Sequence, residues 1–314
     1  MKNKQDVTLQ FGATEGADSE LKLVPLDSYL WETFEGAYGN VVNDVKLLTG
    51  EEKELDDWDI ALLERRQSRQ GREEDASDIE KIALENLFES ISHQMTFYPA
   101  IYLVMPYLVK LLEKRRAEND FDGQLSLMTD MGLLVAISNL DCDRDEDGID
   151  NEILENFNLS ILKLQEITKR FLEQNLDRLK QMDGDSYYKI PFLTSVLGIL
   201  GNDRKASAVM FMSMWENCYM LCPECEDCNE DIEFESMDEL KEASEGIVPA
   251  ESVIGQWDGT SLDNTYGWFS NLLSMAGEDM HAEFMSYYYG TYECLECGKK
   301  NQVMEFMKEY YYGE

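Results

Sequence analysis

Residues 78–116 read DIEKIALENLFESISHQMTFYPAIYLVMPYLVKLLEKRR, and their reading decides the fold class. Asp78 carries the short acceptor that caps a helix start. Behind it Ile79, Ile82, Ala83, Leu87 and Ile91 fall at the spacing of one helix face. Ser92 to Phe97 predict a turn. Pro99 suits the opening of a helix, and Ile101, Met105, Leu108, Val109 and Leu112 continue it. Lys110, Lys114, Arg115 and Arg116 stand near its end, where cations complement the helix dipole. Pro106 removes one backbone donor from the middle and predicts a kink. Helix, short turn, antiparallel helix is the unit of an α-solenoid.

The same pattern extends both ways. Upstream, residues 1–24 predict a weakly ordered lead or an edge strand. Leu26, Tyr29, Leu30, Phe34 and Ala37 follow helical spacing from Pro25, and Gly36 and Gly39 end that segment. Val41, Val42, Val45 and Leu48 predict a short helix closed by Gly50. Glu51 to Gln70 predict a charged helix with a thin apolar stripe. Downstream, helices are expected over Leu125–Asn139, Ile153–Met182, Pro191–Leu200, Ala206–Tyr219, Leu262–Met275 and Met280–Tyr289. Residues 229–262 predict short strands and an acidic surface segment. The chain is thus expected to be dominated by helices, an α-solenoid over 25–220 followed by a smaller element over 221–314.

That smaller element carries the most specific chemistry. Cys225-Glu226-Asp227-Cys228-Asn229 and Cys294-Leu295-Glu296-Cys297-Gly298 are two C-x-x-C pairs, each followed by a turn-former. Two thiolates so spaced can grip one ion, and four sulfurs make a closed tetrahedral zinc site. A closed site has no open position for water or substrate, so this zinc would hold structure. Cys222 also forms a C-x-x-C with Cys225. Cys225 and Cys228 are favoured because Asn229 then matches Gly298 and Glu230-Asp231-Ile232-Glu233-Phe234 follows as a strand. The alternatives are reduced, unrelated cysteines or a disulfide, although nothing marks the chain as secreted.

Composition bounds the function. The chain has 314 residues and 44% hydrophobic content, enough for a core. Seven cysteines, the absence of a signal-peptide pattern and the lack of a long apolar run predict a cytoplasmic protein. There are 64 acidic against 27 basic residues, a formal net charge of −37. Such a field repels nucleic acid and anionic membranes and draws basic proteins. The acidic residues concentrate at 51–59, 73–80, 141–155 and 224–245. Plain solubility is the simpler use of such charge.

Trp31, Gly36-Ala37-Tyr38-Gly39, Ala83-Leu84-Glu85-Asn86-Leu87, Ile91-Ser92-His93-Gln94 and Pro106-Tyr107-Leu108-Val109-Lys110-Leu111-Leu112 resemble a bacterial family of HEAT-like repeat proteins. Its members carry a comparable tryptophan, an A-Y-G turn, an H-Q-G turn and a P-x-L-x-x-L-L helix. Several end in a segment like Tyr289-Gly290-Thr291-Tyr292-Glu293-Cys294-Leu295-Glu296-Cys297-Gly298. The sequence departs at Met95, where the family pattern has glycine. The resemblance implies an α-solenoid scaffold and an immunity or accessory role in bacterial toxin systems. It brings no catalytic residue.

Other candidates each have a plainer reading. Asp143-Arg144-Asp145-Glu146-Asp147-Gly148 is the first half of a calcium loop. The second half fails: Asp150 stands where an apolar residue belongs, and Leu154 where a bidentate Glu belongs. Glu152 or Glu155 would serve only in a distorted loop, so an acidic helix connection is preferred. A divalent-metal enzyme built on 143–155 remains the alternative function, and a general intracellular scaffold is a third. His93 reads as a histidine bonded to backbone in a turn. His281, with Asp279 and Glu283 near in sequence, reads as a surface histidine. Met210, Met212, Met214 and Trp215 read as core. Tyr287, Tyr288, Tyr289, Tyr310, Tyr311 and Tyr312 suit either an interface or packing around the cysteine segment. No G-x-S-x-G or G-x-x-x-x-G-K is present. The expected protein is therefore a non-catalytic binder of a basic protein, with zinc as cofactor and calcium a poorer fit.

Overall fold

The 78–116 pattern becomes two helices, α3 (Ile79–Ile91) and α4 (Ile101–Ala117), joined by a 3-10 turn at His93–Met95. These come from a computed structural model that describes residues 19–55, 57, 60, 61, 64, 79–138, 149–182, 189–201, 204–213, 246–250, 265–305 and 307. The earlier helices are α1 (Leu30–Thr33) and α2 (Val42–Thr49). Then follow α5 (Phe121–Ile137), α6 (Asn151–Gln181), α7 (Lys189–Leu200), α8 (Arg204–Ser213), β1 (Ile247–Val248), α9 (Thr265–Met275), α10 (Asp279–Tyr288), β2 (Thr291–Glu293) and β3 (Lys300–Gln302). The chain is mostly helical, as its periodicity predicts. No described helix is long and apolar enough to cross a membrane. Two compact units hold the described residues, one within Gly16–Lys163 and one within Leu164–Glu314. The expected boundary between 220 and 221, like most of the predicted 51–70 helix, lies outside the described residues.

In the first unit α3 buries Ile82, Ala83, Asn86, Leu87, Ser90 and Ile91, the stripe its spacing dictates. From Ile101 to Leu112, α4 is buried at every position but Lys110, and it runs continuously through Pro106. Glu80 near the start of α3 meets Arg115 near the end of α4 at 3.0 Å, so the two run antiparallel. Their closest backbone partners are other helices, however: α2 packs on α3 and α5 on α4. Asp120 caps α5, its carboxylate accepting from the Gly123 N–H at 2.9 Å.

The segment after Pro25 differs from expectation. Only the four residues of α1 are helical, and Tyr29 stands 74% exposed. Trp31 fixes that segment instead: it is buried and donates its ring N–H to the Pro25 carbonyl at 3.0 Å. Of the expected lead 1–24, residues 19–24 are described, and they are tied down. Leu21 is buried, and the Lys22 backbone exchanges two hydrogen bonds with the Asn156 amide at 3.0 and 2.7 Å. Phe34, Phe97, Tyr102 and Phe157 form an edge-to-face cluster, with the centroids of neighbouring rings 5.0 to 6.5 Å apart.

In the second unit α7 pairs with α8, and α9 with α10. Ser207 donates to the Thr194 carbonyl at 2.8 Å across the first pair. Phe171 of α6 packs edge-on against Phe192 of α7 at 5.5 Å. The three strands form one antiparallel sheet in the order β1-β2-β3. Ile247 faces Tyr292 across the first ladder, and Glu293 faces Lys300 across the second.

Candidate metal centre and buried charge sites

The β2–β3 hairpin carries the second cysteine pair at its tip. Cys294 follows the last residue of β2, and its N–H donates to the Lys299 carbonyl at 2.9 Å. The Gly298 N–H donates to the Cys294 carbonyl at 2.8 Å and closes the turn. Gly298 sits at φ +72°, the left-handed region that a side chain would strain, so the residue after the pair has the conformation its position predicts. Cys294 is buried and Cys297 exposed. Two soft thiolates at a hairpin turn are a half-site for a thiophilic ion such as zinc. Cys222, Cys225 and Cys228, with the predicted strand 230–234, lie outside the described residues. Among the described residues no group of three or more His, Cys, Asp and Glu is placed to hold a metal.

The acidic loop is partly visible. Asp143 to Gly148 lie outside the described residues. Asp150 accepts from the Glu152 N–H at 2.7 Å and so opens α6. Glu152 pairs with Lys22 at 2.6 Å. The segment that would complete a calcium loop is thus the first turn of a helix.

Both histidines depart from their sequence reading. His93 is not held by backbone through its ring: Nδ1 lies 3.0 Å from the Tyr38 hydroxyl, with the rings 5.1 Å apart. The turn around it is strained, for Gln94 and Met95 both adopt left-handed backbone, at φ 54° and 59°. Met95 therefore occupies a conformation that favours glycine. Opposite, Gly36 lies so close to Ser90 that a Cβ would come within 2.4 Å of its hydroxyl, and the Ala37 N–H donates to the Ser90 carbonyl at 2.7 Å. The two turns are locked together.

His281 is buried, not a surface residue. Its Nδ1 lies 3.0 Å from Glu278 Oε2, and Glu278 Oε1 lies 2.6 Å from Lys189 Nζ. All three side chains are at most 7% exposed. Burial pushes the Glu278 carboxyl up, but hydrogen bonds from His281 and Lys189 and their charges pull harder, leaving it below the ordinary carboxylate range. Lys189 also donates to the Met182 carbonyl at 3.3 Å. This chain of charge ties the start of α7 to the start of α10, the helix that leads into the cysteine hairpin. A sequence signal for His281 existed. Phe284, Met285 and Tyr288 follow it three, four and seven positions on and are all buried, so the apolar stripe passes through the histidine.

Asp130 on α5 was also missed. Burial pushes its carboxyl up to about 7; Arg115 opposes the shift and Glu85 adds to it. Met210 is buried in the core, as expected, while the Met212 side chain, Met214 and Trp215 lie outside the described residues. Tyr288 is buried edge-on against Phe284 at 4.8 Å, and Tyr289 meets Tyr266 at 5.5 Å, which favours packing for that cluster. Tyr310 to Tyr312 lie outside the described residues.

Comparison with family models, with curated proteins and with solved structures yields no match.

Proposed function

We propose that this chain is a non-catalytic, acidic helical-repeat binding protein that covers a basic protein partner, most simply a toxin that it neutralises as an immunity-type protein. In this reading the helix pairs build a HEAT-like α-solenoid. Structural zinc on Cys225, Cys228, Cys294 and Cys297 closes the C-terminal part, and no active site is needed.

The observation that carries the reading is the charge. If each of the 27 cations took one of the 64 carboxylates, 64 − 27 = 37 carboxylates would remain. Several of the described cations pair internally: Lys22 with Glu152, Lys110 with Glu113, Arg115 with Glu80, Arg170 with Glu166 and Lys300 with Glu293. The surplus makes a negative field that speeds encounter with a positive surface and rejects nucleic acid. Occlusion then needs only contact area, with charge governing the on-rate.

The test is a pull-down from the native host at low and high salt, followed by association kinetics with the recovered partner. A basic partner is expected, with an association rate that falls about tenfold or more as salt rises through the range where the Debye length shrinks from about 10 to 3 Å. Recovery of no protein at either salt, or a rate indifferent to salt, contradicts the reading.

A further inference from the structure

Resting on the zinc reading above, we infer that the β2–β3 hairpin is also a thiol switch: Cys297 takes the first hit from a peroxide, and Cys294 resolves it as a disulfide that ejects the metal. Three features of the hairpin lead there. The first is unequal access. Cys294 is 1% exposed, whereas Cys297 stands in the exposed tip at 295–298. Oxidant susceptibility follows exposure and thiolate character, and a metal-held sulfur is a thiolate.

The second is reach. The Gly298 N–H to Cys294 carbonyl bond folds 294–298 into a closed turn. Ends three residues apart in such a turn lie within about 7 Å, which overlaps the Cα separation a disulfide spans. The pair can therefore bridge while β2 and β3 stay paired. The third is position. The hairpin follows directly on α10, whose N-cap residue Glu278 pairs with Lys189. Loss of the metal would release the sulfurs contributed from elsewhere and leave the hairpin itself in place.

The chemistry balances with a hydroperoxide as the oxidant. The Cys297 thiolate attacks one peroxide oxygen, an S–O bond forms, the O–O bond breaks and hydroxide leaves. The Cys294 thiolate then attacks that sulfur, an S–S bond forms, the S–O bond breaks and a second hydroxide leaves. Two thiolates give up two electrons, the peroxide accepts them, and zinc departs with half of its sulfur ligands gone.

The experiment uses the full-length, reduced, zinc-loaded protein and hydrogen peroxide. Released zinc is followed with a chromogenic chelator, and the products are read by intact mass and peptide mapping. The expected result is loss of the zinc and of two hydrogens per chain, a disulfide mapping to Cys294–Cys297, and recovery of zinc uptake after reduction. Brief iodoacetamide treatment of the reduced chain should label Cys297 about tenfold or more ahead of Cys294. A disulfide to any other cysteine, retention of zinc with intact thiols, or equal labelling rates would overturn the inference. If the protein as purified holds no zinc, the zinc reading fails by itself, and the disulfide map and labelling order still decide the thiol pair.

Discussion

Replacing Glu278 by alanine strands a buried cation. Lys189 Nζ sits 2.6 Å from Glu278 Oε1, and its side chain is 2% exposed. Among the described residues the other acceptor for that ammonium is the Met182 carbonyl at 3.3 Å, a neutral partner at marginal range. Removing one member of a buried pair costs about 3–5 kcal/mol, because the survivor keeps its desolvation penalty. His281 loses its carboxylate at the same stroke, which adds about 1 kcal/mol or more. Replacing both charges, as in Lys189→Met with Glu278→Met, should cost much less, since no uncompensated charge is left inside. With two compact units a single unfolding free energy is poorly defined, so amide hydrogen exchange on α7 and α10 is the suitable assay. Glu278→Ala should lower protection there by roughly a hundredfold or more, about 1.4 kcal/mol per factor of ten. Amides of α3 and α4, in the other unit, should be unaffected. Protection in Glu278→Ala within about fivefold of wild type, or a double variant worse than the single, would refute the reasoning.

Asp130→Asn tests the raised carboxyl. Its folded value of about 7 lies above the ordinary 3.8, so the folded state holds the proton more tightly. That contribution is complete below the ordinary value and is lost as pH rises towards 7. The full shift is worth about 4 kcal/mol; Asp130 keeps some contact with solvent, which relieves part of the desolvation that causes the shift, so about 1–2 kcal/mol should remain. The asparagine variant should therefore gain on wild type between pH 5 and pH 8 in the amide protection of α5, corrected for intrinsic exchange, and parallel curves would contradict the assignment. Met95→Val should lower the amide protection of α3 and α4 by the equivalent of about 1–2 kcal/mol, because a branched side chain tolerates left-handed backbone poorly. Met95→Gly should be close to neutral or stabilising, and the reverse order would show that the turn is not strained.

Much of the helical architecture was legible because burial imposes a period. Ile82, Ala83, Leu87 and Ile91 fall on one face whatever else the chain does, and the turns at 92–97 and 119–120 stop the helices on either side. Which helices pack closest was not legible. That depends on contacts such as α2 on α3, where short sequence distance gives no preference over α3 on α4. The helix expected from Pro25 shrank to α1 because Trp31 turns inward and spends its N–H on Pro25. Gly298 was readable, since a residue closing a C-x-x-C turn is driven to positive φ. The charge chain was not: Lys189 and Glu278 are 89 positions apart, and a lysine before an apolar run gives no hint of its partner. His281 was misjudged because its acidic neighbours outweighed the apolar stripe through it. His93 was misjudged because a ring nitrogen can choose backbone or side chain, and only the meeting of two turns brings Tyr38 within reach.

Zinc content, measured by mass spectrometry on the full chain purified without added metal and again as Cys294→Ser, puts the clasp to the proof. One zinc per chain in wild type, with near-complete loss in the serine variant while the helical signal stays, is the predicted result. A chain free of bound metal, or zinc that survives loss of Cys294, would contradict it.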